Sequence, residues 1–209
     1  MSYIIFKDKK FKVSVIDYSY GLEKIPLKSL RLRGFEINSF DELEGLLELQ
    51  DLEYLDLSFN NISSMKGIEE LTNLKILRLG NNISEISRLD KLTYLTHLKL
   101  GNKISEIKGL DSLTNITNLH LRGTISEIKN LDNLTNLRVL DLSNNQISKI
   151  TGLDNLPNLR RLNLSNNQIT EIEGLENVKQ IVKLNLGVNK ISEIEGLSHL
   201  RKLSSLVLI

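Results

Sequence analysis

The sequence predicts a solenoid of stacked repeats held together by a ladder of parallel strands, and three observations carry that prediction. Setting each L-x-x-L-x-L unit under the next places its first apolar position at Leu27, Leu52, Leu74, Leu95, Ile116, Leu137, Leu159, Ile181 and Leu203, in steps of 25, 22, 21, 21, 21, 22, 22 and 22 residues. A fixed period of this size marks a repeat architecture. Within each unit an L-x-L pair such as Leu140 and Leu142 alternates with period two, as a strand buried on one face does. The tail I-x-x-I-x-x-L-x-x-L then holds a period of three, which suits extended backbone or 3₁₀ turns better than a full α-helix. No unit this small can bury its apolar side alone, so the units must stack, with strands about 4.8 Å apart. Eight complete repeats result, with a ninth cut off at Ile209.

Residues 1–26 break the period. The run "YIIFKDKKFKVSVID" reads as two strands joined near Asp8 and Lys9, a hairpin that caps the first coil, and residues 27–209 carry the repeats. After each strand comes an asparagine, at Asn60, Asn81, Asn102, Asn145, Asn167 and Asn189, whose amide can satisfy backbone groups that lack a ladder partner. Gly67, Gly109, Gly152, Gly174 and Gly196 mark a recurring bend before the next leucine. Asp90, Asp111, Asp132 and Asp154 stand just after that leucine, placed to cap the turn. At the C-terminus "LSSLVLI" stops within a strand, leaving an open end with an unpaired edge.

The stretch from Leu137 to Leu156, "LRVLDLSNNQISKITGLDNL", resembles the 22-residue class of leucine-rich repeats, and the resemblance runs from about residue 27 to 209. That class includes a regulatory subunit of type-1 protein phosphatase, the U2 small-ribonucleoprotein A-prime protein and bacterial internalins. The resemblance implies an α/β repeat fold, a right-handed curved solenoid with parallel strands on the concave face and short 3₁₀ or extended turns on the convex face. It also implies binding of another macromolecule in the hollow. A phosphatase regulator is expected to use acidic and aromatic concave residues, and only Tyr54, Asp56, Phe59 and Asp141 are of that kind.

Composition narrows the partner. The chain has 209 residues, 40% of them apolar, and 27 basic against 26 acidic residues give a net charge of +1. No global field points to nucleic acid or to an anionic membrane. There is no cysteine, which removes disulfides, thiolate metal sites and cysteine nucleophiles. No signal segment or apolar run of membrane length is evident, so the expectation is a cytoplasmic protein, unless a leader has been removed.

The residue between the two strand leucines faces the hollow, and that column reads Arg31, Asp56, Arg78, Lys99, His120, Asp141, Asn163, Asn185, Val207. The column before it holds Tyr54, His97, Arg161 and Lys183, and the column after it Arg33, Gly80, Gly101, Arg122 and Ile209. Repeats three to five thus gather Arg78, His97, Lys99, His120 and Arg122 on neighbouring strands. The same repeats have lost one residue, and the fifth puts Gly123 where an asparagine is due. Local rules fail at one place, which is where function is sought. The expected site is a basic concave patch for an acidic or phosphorylated segment of a protein partner, flanked by Tyr54 and Phe59 as aromatic anchors and extended by Asp56, Asp141 and Arg161.

Other chemistry finds no support. His97 and His120 are offset by two positions, roughly 8 Å, with no third ligand, so no metal or other cofactor is expected. Neither a P-loop nor a hydrolase or zinc-protease motif occurs, and no enzymatic role is expected. On the convex side Glu85, Glu106, Glu127, Glu171 and Glu193 form a row interrupted by Lys149, in which Lys108 and Lys129, two residues from Glu106 and Glu127, can relieve the repulsion of a hydrated outer face. The alternatives kept open are a ribonucleoprotein component and an assembly element that forms a homodimer through its open C-terminal strand.

Overall fold

In a computed structural model, which describes residues 3–20 and 23–208, the chain begins with an antiparallel hairpin of β1 (Tyr3–Phe6) and β2 (Lys9–Lys12). Lys7 and Asp8 form its turn with φ of 49° and 60°, both in the left-handed region whose twist matches a two-residue hairpin. The hairpin is docked rather than free: Ile4 and Phe6 are buried, and Ile5 and Glu44 exchange backbone hydrogen bonds of 3.0 Å. The apolar run after Lys9 divides in two. Its second half is β3 (Ser14–Tyr20), which pairs antiparallel with β4 (Glu23–Arg31). Because β4 is itself the first strand of the solenoid, β3 extends the long sheet by one reversed edge strand.

From there one strand per coil is laid down: β5 (Tyr54–Asp56), β6 (Ile76–Ile83), β7 (His97–Ile104), β8 (Asn118–Gly123), β9 (Val139–Asp141), β10 (Arg161–Asn163), β11 (Lys183–Asn185) and β12 (Ser205–Val207). They form a ten-stranded sheet in the order β12 to β3, and every pairing from β4 to β12 is parallel. Leu30, Leu55, Leu77, Leu98, Leu119, Leu140, Leu162 and Leu184 stand in one register and are each at most 2% exposed. Removing such a side chain down to alanine costs about 2–5 kcal/mol, so this spine carries the fold. At the last coil it opens, with Leu206 37% and Ile194 64% exposed. Ile209 lies outside the described residues.

The period of three has a direct cause. Leucine-type N–H groups donate three residues back, as from Leu92 to Leu89 (2.9 Å) and Leu95 to Leu92 (3.0 Å), and the pattern recurs through Leu203. These are successive 3₁₀-type turns, and three early ones are regular enough to form 3₁₀ helices at Phe40–Glu42, Leu46–Glu48 and Ile68–Glu70. The described residues hold no α-helix and no helix long and apolar enough to cross a membrane. The recurring bend is left-handed. At Gly174, with φ 72°, a Cβ would lie 1.9 Å from the Ile150 carbonyl oxygen, so the next coil leaves no room for a side chain.

Among the described residues, asparagine closes the longer coils. Asn145 accepts from the Ile125 N–H and donates to the carbonyls of Leu121 and Leu142, and Asn60, Asn167 and Asn189 repeat this bonding. Asn102, expected to be part of the ladder, is not: it is exposed and lies within β7, opposite Ile83. The missing residue removes the turn that the amide would close, and strands β6 and β7 lengthen to eight residues instead. The side chain of Asn81 is outside the described set. Gly123 ends β8 for a steric reason, since a Cβ there would sit 2.1 Å from the Ile104 carbonyl oxygen.

Two expectations about the turns resolve differently. Asp132 and Asp154 do not cap their turns; each accepts a 2.8 Å bond from the asparagine amide of the following coil, Asn155 and Asn177. Three of the five convex carboxylates, Glu85, Glu106 and Glu127, meet the expected lysines. Lys108 bridges Glu85 (3.0 Å) and Glu106 (4.0 Å), and Lys129 bridges Glu106 (3.2 Å) and Glu127 (3.1 Å). Such exposed pairs add little to stability.

Candidate functional site

The concave face is built by register. Pairing sets Arg31 beside Asp56, then Arg78, Lys99, His120, Asp141 and Asn163 on successive strands. Period-two alternation sends these side chains away from the leucine spine. What the alternation alone does not set is depth, and there the positions divide.

Tyr54 and Asp56 depart from the expectation of surface contacts, being 1% and 2% exposed. Tyr54 packs in a small apolar cluster with Leu27, Ile76 and Ile16, and long cationic side chains from neighbouring coils lie over both residues. The Arg31 and Arg78 guanidinium carbons are 4.8 and 5.6 Å from the Tyr54 ring centroid, on a ring face that attracts cations. The Asp56 carboxylate lies 3.8 Å from Arg33 Nε and 3.9 Å from Arg78, and accepts a 3.0 Å bond from the Ser58 N–H. Tyr54 and Asp56 therefore hold the arginines in place.

Asp141 plays the same part on β9. His120 Nδ1 lies 3.3 Å and Arg122 3.8 Å from its carboxylate, and the Ser143 N–H donates to it at 3.0 Å. Burial alone would raise the pKa of Asp141, but the bonds from His120 and Ser143 outweigh it and keep the group well below the usual carboxylate range. His97 has the opposite fate. Burial, reinforced by the charges of Arg78 and His120, lowers its pKa to about 4, so it is neutral at ordinary pH. Thr96 donates its hydroxyl to the Lys75 carbonyl and lies 2.9 Å from His97 Nδ1, so its oxygen receives the Nδ1 proton.

Between the two carboxylates, on β7, Lys99 is exposed and has no ion-pair partner among the described residues. It opens on a cleft of about 130 Å³ that Arg33, Arg78 and Arg122 also line, with Gly80 and Gly101 at its floor and Phe59 at its lip. Phe59 is 69% exposed, has φ 62°, and stacks under Arg33 with the guanidinium carbon 5.0 Å from its ring. Arg161 is not part of this cleft; it lines a second hollow of about 330 Å³ further along the sheet, with His120, Asp141 and Lys183. Arg33 and the two floor glycines were not singled out by sequence reasoning, although the third concave column, Ser58, Gly80, Gly101, Arg122, carries the signal as two adjacent positions without side chains.

Residues 50–93, 114–155, 135–177 and 157–201 match the family of leucine-rich repeats, described in two-copy units. The chain is a leucine-rich-repeat protein. Curated proteins yield no match by sequence. Among solved structures this leucine-rich-repeat protein is similar to internalin C2 from Listeria monocytogenes, with 29% identity and TM-score 0.78 over 87% of this chain and 80% of that one. A leucine-rich-repeat protein from Leptospira interrogans matches at 31% identity and TM-score 0.76, covering 86% of this chain and 48% of the other. The TLR13–ssRNA13 complex matches at 28% identity and TM-score 0.66, over 78% of this chain and 26% of TLR13.

Proposed function

We propose that this leucine-rich-repeat protein is a non-catalytic interaction scaffold whose concave face, from Arg33 to Arg122, receives an acidic segment of a protein partner. The observation that supports this most is the convergence of Arg33, Arg78, Lys99 and Arg122 on one cleft whose lining contains a single carboxylate, Asp56. Scaffolds of this family bind through such faces, and complementary charge sets partner choice more than affinity. The chain as a whole is almost neutral, at +1, so the attraction is local and selects a short acidic stretch rather than an extended polyanion.

Nucleic acid is less well served, although the TLR13 complex contains RNA. Binding of single strands relies on aromatic platforms for the bases, and of Tyr54 and Phe59 only Phe59 is exposed. A phosphatase-regulator role, which needs an acidic and aromatic face, is likewise less well supported, because Tyr54 and Asp56 are covered and Asp141 is engaged by His120.

Affinity capture from native extract tests the proposal. The double variant Arg78→Glu, Lys99→Glu is expected to lose the captured partner while keeping its circular-dichroism spectrum. Undiminished capture by a folded double variant would retire the reading.

A further inference from the structure

We propose that the cleft over Gly80 and Gly101 is a phosphate subsite, filled by a phosphomonoester on a side chain of the acidic partner. The inference rests on the concave face being the docking surface for an acidic protein segment, and it names the group that the centre of that surface is shaped to take.

The first argument is how the arginines are held. Arg33 and Arg78 stand 3.8 and 3.9 Å from Asp56, and Arg122 stands 3.8 Å from Asp141. These distances lie within electrostatic range but beyond the roughly 2.7–2.9 Å of a charge-assisted hydrogen bond. The two carboxylates therefore aim the guanidinium groups without consuming their N–H donors.

The second is symmetry about the middle strand. Asp56 on β5 and Asp141 on β9 lie two strands to either side of β7. They draw Arg78 toward one side and Arg122 toward the other, which leaves Lys99 standing alone over a gap. Gly80 pairs directly with Gly101, and neither adds a side chain of its own; over Gly80 a Cβ would meet only Ser58 at 3.7 Å, while beside Gly101 stands the Arg122 Cβ. About 130 Å³ is open, room for several waters at about 30 Å³ each, which an anion would replace.

Charge and donor count choose among anions. Four cations line the cleft against Asp56, and Asp141 outside the lining offsets Arg122; the positive charge left over still exceeds what a single aspartate or glutamate of a partner neutralises. A phosphomonoester brings a charge of about −1.5 to −2 and three acceptor oxygens, which suits donors arriving from several directions. A nucleic-acid diester carries one charge per phosphate and would leave its bases without a stacking surface beyond Phe59. A phosphopeptide instead places its neighbouring residue against that exposed ring.

The probe is a short aspartate- and glycine-containing peptide in three versions, with serine, glutamate or phosphoserine at its centre, read by fluorescence anisotropy. The phosphoserine version is expected to bind about tenfold or more tightly than the glutamate version. Gly80→Leu adds bulk to the hollow without altering charge, and its Cβ would meet Ser58 only at 3.7 Å. This variant is expected to weaken the phosphopeptide more than the glutamate peptide, so that the gap between the two narrows. Should it misfold, Lys99→Gln must weaken the phosphopeptide more than the glutamate peptide. Equal affinities for the phosphoserine and glutamate versions overturn the subsite and leave acidic docking intact. Absence of binding by every acidic peptide removes both readings together. Tighter binding of a single-stranded RNA oligonucleotide that competes with the phosphopeptide also overturns the assignment.

Discussion

Replacing Asn145 by alanine tests the physical difference between the two kinds of coil. The amide of Asn145 serves the Ile125 N–H at 3.1 Å and the carbonyls of Leu121 and Leu142 at 3.0 and 2.9 Å, in a site where the residue is 8% exposed. Alanine strands these backbone groups between stacked coils, where each buried unmet partner costs about 1–3 kcal/mol. Water entering the vacated space recovers part of that, so a loss of about 3 kcal/mol is expected. For a chain of this size the loss corresponds to a fall in Tm of about 6–12 °C. The matched control is Asn102→Ala. Asn102 is exposed in β7, so its replacement should change stability by no more than about 0.5 kcal/mol. Urea unfolding followed by circular dichroism measures both. Equal losses in the two variants, or a loss below about 1 kcal/mol for Asn145→Ala, would refute the claim that a single deleted residue exchanges an amide-closed turn for a longer strand.

Other outcomes follow from particular contacts. Val188, a β-branched residue with φ 56° and 65% exposure, occupies the place that Asn144 and Asn166 fill at φ 59° and 55°. Val188→Asn should therefore raise stability by about 1 kcal/mol, visible as a Tm increase of about 2–4 °C. Gly123→Ala brings a Cβ to 2.1 Å from the Ile104 carbonyl, whereas Gly80→Ala meets only Ser58 at 3.7 Å; thermal melts should show a loss of about 1–3 kcal/mol or more for the first and little for the second. The pKa of His97, lowered to about 4 by burial and then by Arg78 and His120, lies below the unfolded value of about 6.5. Between these values the unfolded chain binds the extra proton, so this contribution is complete above about pH 6.5, declines on acidification and levels off near 4. His97→Asn, which copies Asn118 of the next coil, should flatten that part of the stability profile, and an unaltered slope of urea midpoint against pH would count against it.

The leucine frame was legible because it repeats. Each strand pairing from Ser29–Tyr54 to Asn185–Val207 follows from aligning the L-x-L units, and with it the neighbours of Arg78 and Lys99. The row of convex carboxylates and its relief by Lys108 and Lys129 were legible for the same reason. Depth was not. Tyr54 and Ile76 face away from the leucine spine yet are both buried, in a small apolar cluster with Leu27, and arginines reaching across from adjacent coils cover Asp56; a one-dimensional period does not encode such side-chain contacts. The failure of Asn102 as a ladder residue depends on whether a turn exists for its amide to close, which the single-residue deletion decides. The left-handed backbone of Phe59 was hidden because asparagine holds the equivalent place in sister coils and phenylalanine does not advertise that conformation.

The cationic cleft draws its parts from consecutive coils, with Arg33 entering before β5 and Arg122 held at its far side by Asp141 of β9, which lies outside the lining. A gene that duplicates or loses a unit beyond Asn163 alters the length of the protein and spares this recognition surface. The same event between Asp56 and Asp141 separates the two carboxylate anchors or merges them, so growth of the array is tolerated at one end and forbidden in the middle.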